Sequence, residues 1–262
     1  MARRMDRGSR QTRKIPGDTN GNGGKAFLLV MLLLLVMVVG YFVFKPKGAE
    51  GPLQNRKEML AAPTQIDEEG IVIVVDAGHG GFDNGTKGAF TGVLEKDINL
   101  EIAFYLKLEL EEKGYQVVMT RMDEDAIGPD KNADMAKRKQ IMAEPYVNLI
   151  VLIHQNFFEG DEGIYGPQTY HAPGAVQGEL LAKDILVELN EQLGIENPRP
   201  VRSLTENNML ITAAVHPAAL VECGFLSNKK EEALLSSSDY QKKVAKAIAD
   251  GVETYVNTYI EV

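Results

Sequence analysis

IVIVVDAGHGGFDNG, residues 71–85, decides the fold class. Ile71 to Val75 form an unbroken β-branched row with no polar alternation, so neither side of this strand is built to face water. Runs of this kind belong to largely parallel sheets that are covered on both faces. The run ends at Asp76, and His79 follows, fenced by Gly78 on one side and Gly80 and Gly81 on the other. The glycines permit a tight turn and leave room beside the imidazole for something to come close.

Working outward, VNLIVLI (147–153) is a second run of the same type. YQVVMT (115–120) and AALVEC (218–223) are shorter strand candidates, and GPQTYH (166–171) reads as a more exposed strand. Ile98, Ile102, Leu106 and Leu110 recur every four residues and predict a helix, closed by Gly114. Ala182, Ile185, Leu186, Leu189 and Leu193 predict another, with Gly194 as its stop. Val244, Ile248, Val252 and Tyr255 mark a last one. Strand and helix in alternation imply an α/β sandwich with crossover helices, three layers deep, over a single domain at 70–262.

The 262 residues carry a net charge of −9, and 44 % are hydrophobic, enough to build a core. Residues 26–44, AFLLVMLLLLVMVVGYFVF, hold no charge and lie between Lys25 and Lys45. As a helix they rise roughly 28 Å, the hydrocarbon thickness of a bilayer, and are expected to be one transmembrane helix. Residues 1–25 carry seven Arg and Lys against Asp6 and Asp18. Such a basic tail stays cytoplasmic, which places everything after Lys45 outside the membrane. An uncleaved anchor is expected rather than a cleaved leader, because the run is long and no small-x-small site follows it directly. Residues 1–25 read as a disordered tail and 45–69, with Pro46, Pro52 and Pro63, as a spacer. The tail's +5 leaves the remainder at −14 against the chain's −9, a surface unsuited to nucleic acid. Cys223, the one cysteine, has no partner for an internal disulfide and reads as a buried thiol.

Titratable residues gather at strand ends. His79 follows IVIVV, His154 follows LIVLI, and Glu222 lies near the end of the fourth apolar run. In an open parallel sheet the carboxyl ends share one edge, where ligands bind, so these residues can meet in space. Glu95 opens the helix after the glycine-bearing loop and can join them. Two imidazoles and a carboxylate suit a catalytic zinc with one position left for water. Asp76 is a candidate for holding the loop or the imidazole from behind. A glycine-rich turn can also cradle phosphate, but GHGGFDNG has neither G-x-G-x-x-G spacing nor a P-loop Lys-Ser/Thr pair. A lone His79 would more often be structural; His154 at a second strand end favours the ligand reading, although no local spacing of the HExxH kind fixes it.

DAGHGGFDNGTKG, LEKDINL, MTR (119–121), LIHQN (152–156) and LVECGFLSN (220–228), in that order, resemble the zinc-dependent N-acetylmuramoyl-L-alanine amidases across about residues 71–258. The resemblance implies a mixed, mostly parallel sheet flanked by helices. It also implies peptidoglycan as substrate, cut at the amide between the lactyl group of N-acetylmuramic acid and L-alanine. By motif it makes His79, Glu95 and His154 zinc ligands and Glu222 the catalytic carboxylate, with Asn156 on the substrate side. His171 and His216 match no ligand motif and are expected at the surface or rim. The chain departs from the family where Leu152 replaces a serine and Phe157 and Phe158 replace a small residue, which bears on the shape of the substrate groove. One N-terminal anchor, GPQTYH and no wall-binding repeats are most similar to the spore-cortex and germination type. A zinc peptidase of the stem peptide and a non-catalytic wall-binding module are the competing expectations, and no motif specifies an activator protein.

Overall fold

Every residue of Val72–Ala77, strand β1, is buried, as the unalternating run requires. The structure is a computed structural model and describes residues 66–67, 69–204 and 210–260. In chain order, β1 is followed by α1 (Glu95–Glu112), β2 (Gln116–Met119), α2 (Lys131–Met142) and β3 (Leu149–Asn156). Then come β4 (Gln168–His171), α3 (Val176–Leu193), β5 (Arg202–Ser203) and a 3₁₀ turn at Ile211–Ala213. β6 (Ala218–Phe225), α4 (Lys229–Leu235) and α5 (Ser238–Tyr259) complete the described chain.

The six strands lie in the order β2-β1-β3-β6-β4-β5. β1 runs parallel to β2 and β3, and β3 parallel to β6. β4 runs antiparallel to β6, which makes the sheet mixed. Side chains alternate across it. Ile73, Val75, Leu149, Val151, Ile153 and Val221 point to one face, in the cluster that α1, α3 and α5 cover. Val74, Ile150, Leu152 and Leu220 point to the other, where Met142 of α2 and Ile211 of the 3₁₀ turn meet them. Fully burying one such aliphatic chain is worth about 1.5–3 kcal/mol, so these strands fix which residues appear at the sheet's carboxyl edge.

The three helical stripes and five strand runs read from the sequence each fall within or overlap a formed element. Gly194 ends α3 in the left-handed conformation at φ 69°. Helices α2 and α4 and the short β5 were not foreseen. α2 escapes a hydropathy reading because the residues it buries are Asp134, Arg138 and Met142, four apart and mostly charged. Its start is set by Asp130, whose carboxylate accepts the Ala133 N–H at 2.9 Å. His171 corrects an expectation: it is buried on β4, its Nδ1 2.9 Å from the Ala172 carbonyl. The tail at 1–25, the anchor at 26–44 and nearly all of the spacer at 45–69 lie outside the described residues. Among the described residues no helix is long and apolar enough to cross a membrane.

Candidate metal centre and catalytic cleft

The site is built on one row of the sheet. His154 on β3 pairs in register with Glu222 on β6, and Glu222 with Gln168 on β4. Residues in register share a face, so these three side chains project together towards the α2 side. Gly78, just past β1, lies beside His154. A Cβ there would sit 2.4 Å from the imidazole, so only glycine lets the ring lie against this backbone.

After Gly78 the chain turns through His79, whose φ of 63° is the only positive value of a non-glycine residue among those described. Backbone strain of this kind persists only where neighbours over-determine it. Two buried arginines do so. Arg121 donates to the carbonyls of Ala77 and Gly78 at 2.9 and 3.0 Å. Arg138 donates to those of Ala77 and His79 at 2.9 and 2.6 Å. Arg138 is anchored in turn by Asp76 and Asp134, each at 2.7 Å. Asp76 thus holds the loop through Arg138 and Thr120; no hydrogen bond joins it to the His79 ring. Burial pushes the Asp76 carboxyl up, but Arg138 and Thr120 outweigh that and hold it below the ordinary range.

Glu95 is the first residue of α1, where the helix dipole favours a negative charge. Its Oε1 lies 3.2 Å from His79 Nε2 and 3.1 Å from His154 Nδ1, and also accepts the Gln155 N–H at 3.2 Å. Oε2 accepts the Thr86 N–H at 2.7 Å. Burial would raise this carboxyl, yet the hydrogen bonds from His154 and His79 dominate and keep it ionised far below the usual range. In the same contact burial favours a neutral His154, and Glu95 overrides it, so the His154 pKa rises. The far nitrogen of His79, Nδ1, lies 3.1 Å from Asp83 Oδ1. A neutral His79 that donates its Nδ1 proton to Asp83 presents the Nε2 lone pair to a metal ion, which would take the place of the proton shared with Glu95.

Three of the sequence-predicted residues therefore converge: one ligand atom each from His79, Glu95 and His154 lie within 4.8 Å of one another. Two ring nitrogens and one carboxylate oxygen, already ordered around a common point, fit a divalent metal ion. Glu222 stands beside this trio but outside it. Its Oε2 is buried without a hydrogen-bond partner, and burial, only partly offset by His154, pushes its pKa up to about 7. A carboxyl so placed can take up and release a proton near neutral pH. The adjoining cleft has a volume of about 310 Å³, with Phe82, Lys131, Met135 and Leu210 on its walls.

Asn156 ends β3 half-buried, its Oδ1 accepting the Phe157 N–H at 2.8 Å. Phe157 packs against the core, while Phe158 is 48 % exposed. Sequence reasoning passed over Asp83, Arg138 and Gln168. Asp83 carried a signal, standing four residues after His79 in the same glycine-rich loop. Arg138 carried none, because a charged residue in a polar segment looks like a solvated face.

Residues 73–254 match the family model described as N-acetylmuramoyl-L-alanine amidase. The germination-specific N-acetylmuramoyl-L-alanine amidase of Bacillus subtilis is 33 % identical over 201 residues, covering 74 % of this chain and 83 % of its own length. The solved CwlD amidase of Clostridioides difficile, in complex with the GerS lipoprotein, superposes with a TM-score of 0.68 at 35 % identity, over 71 % of this chain and 98 % of that one. The catalytic domain of CwlV, an N-acetylmuramoyl-L-alanine amidase from Bacillus (Paenibacillus) polymyxa var. colistinus, gives a TM-score of 0.63 at 32 % identity, over 71 % and 98 %.

Proposed function

This chain belongs to the N-acetylmuramoyl-L-alanine amidases, and from that premise we propose how its cleft performs the family's reaction. The enzyme is a peptidoglycan hydrolase that cuts the amide between the lactyl group of N-acetylmuramic acid and the L-alanine of the stem peptide. The observation that carries the assignment of roles is the convergence of His79, Glu95 and His154, with Glu222 adjacent and unbonded at Oε2.

We assign zinc to the three donors, since imidazole nitrogen with one carboxylate is a zinc ligand set. Held there, the ion supplies Lewis-acid chemistry, polarising a carbonyl oxygen and acidifying water. The chain's own residues do the rest. Asp83 orients His79, and Asn99 and the Gln155 N–H hold the Glu95 carboxylate in place. Glu222 accepts a proton at its free oxygen as water attacks the carbonyl carbon. It then delivers that proton to the nitrogen of the departing L-alanine. Asn156, half-buried at the end of β3, takes a substrate-side position.

Three further assignments follow. The apolar run at 26–44 and the basic tail before it support a single-pass anchor, with residues 70–262 on the outer face of the membrane. A flexible spacer of the length of 45–69 spans about 25–30 Å, which favours wall layers near the membrane. The germination-specific relative supports a role in the spore cortex, and the complex of CwlD with a lipoprotein supports a lipoprotein partner. Digestion of purified muropeptides tests the reaction: new L-alanine amino ends and free lactyl carboxylates are expected. Cleavage between amino acids of the stem would establish a peptidase instead.

A further inference from the structure

The row of the sheet that holds His154 and Glu222 ends in a residue that the mechanism above does not use. Gln168 is 3 % exposed, opposite Glu222 on β4, and its Nε2 has no hydrogen-bond partner. Opposite residues of an antiparallel pair have Cβ atoms about 4.5–5.5 Å apart on one face, so this amide lies next to the general acid/base. Yet it does not satisfy Glu222, whose Oε2 is equally without a partner.

The amide is held in a definite orientation. The Tyr170 hydroxyl donates to Gln168 Oε1 at 2.8 Å. That bond occupies the glutamine's oxygen and turns its N–H₂ away from Tyr170. A buried donor left without an acceptor lowers stability, so such a group is met by an acceptor that water or a ligand supplies.

We propose that Gln168 is a substrate-binding residue: its Nε2 donates to a carbonyl oxygen of the muramoyl peptide beside the bond that Glu222 serves. A neutral donor suits this place. A cation would pair with Glu222 and remove the free oxygen that the reaction needs, whereas a primary amide offers a hydrogen bond without competing for charge. On this account Tyr170 acts as a positioning residue for Gln168.

The inference rests on the amidase reading, so its test separates the two. N-acetylmuramoyl-L-alanyl-D-isoglutamine is titrated calorimetrically into zinc-loaded E222Q and into E222Q/Q168M, with wild-type cleavage of the same compound as the control. Loss of one neutral hydrogen bond predicts binding about 3- to 10-fold weaker in the double variant. Zinc content is expected to stay at one per chain. Y170F, which keeps Gln168 and releases its orientation, is expected to weaken binding by a smaller factor. Equal affinities of E222Q and E222Q/Q168M, alongside cleavage by the wild type, would overturn the role of Gln168 alone. Failure of the wild type to cleave would overturn the amidase reading and this inference together. Should Q168M fold poorly, Y170F in the E222Q background decides, and unchanged binding there refutes the proposal.

Discussion

Arg138→Met tests whether the His79 loop is held by a buried ion pair. Arg138 is 1 % exposed, and its guanidinium bonds Asp76 and Asp134 at 2.7 Å each, with the Ala77 and His79 carbonyls at 2.9 and 2.6 Å. Methionine fills much of the volume and supplies no donor. Asp76, fully buried, would keep Thr120 and lose its counter-charge. Breaking one side of a buried pair costs about 3–5 kcal/mol, and a domain of this size loses about 2–4 °C per kcal/mol. A fall of roughly 6–20 °C in melting temperature at pH 7 follows from those two figures. The pH dependence has a definite sign. With Arg138 present the Asp76 pKa is depressed, so its stabilisation is present above the unfolded value and lost as pH falls through the folded one. Without Arg138 burial is opposed only by Thr120 and His154, so that pKa rises above its wild-type position and the variant's deficit shrinks as the carboxyl becomes protonated in acid. Thermal melts of R138M, D76N and D76N/R138M across pH 4–8 measure this. The double variant is expected to be less destabilised than the two single effects added. A melting temperature of R138M within about 2 °C of wild type, or strict additivity, would refute the argument.

Glu222→Gln is expected to lower kcat on the order of 10²–10⁴-fold in muropeptide hydrolysis. Because Glu222 must be ionised to accept a proton, wild-type kcat/KM should fall as pH drops below an acid limb at or below about 7; a flat profile down to pH 4 would remove Glu222 from that role. Gly78→Ala places a methyl group 2.4 Å from the His154 ring, and metal competition assays should show at least about tenfold weaker zinc binding while circular dichroism stays unchanged. Asp83→Ala frees His79 Nδ1, and a chelator titration should register about 10- to 100-fold lower zinc affinity; wild-type affinity would mean the 3.1 Å contact does not orient the ring.

What could be read from the sequence follows a physical divide. The strands at 72–77 and 149–156 announce themselves because both faces are buried, leaving an apolar run with no alternation. His79, Glu95 and His154 were legible as candidates because parallel strands deliver their carboxyl ends to one edge. α2 was illegible because it packs through Arg138 and Asp134, which pair with each other inside the helix while Arg138 is also compensated by Asp76 on the distant β1. Gln168 reads as an ordinary strand residue, since its meaning lies in its register against Glu222 and in the hydroxyl of Tyr170. Local pattern reports the burial of each segment; it does not report which polar groups meet when segments from different parts of the chain are brought together.

The central claim is that His79, Glu95 and His154 hold one zinc ion while Glu222 stands free beside it, and zinc stoichiometry measures this directly. Metal analysis of purified protein after equilibration with excess zinc and desalting should find one ion per chain in wild type and in E222Q. The variants H79A, E95A and H154A should retain essentially none. A full ion in any of the three alanine variants, or its loss from E222Q alone, would contradict the account.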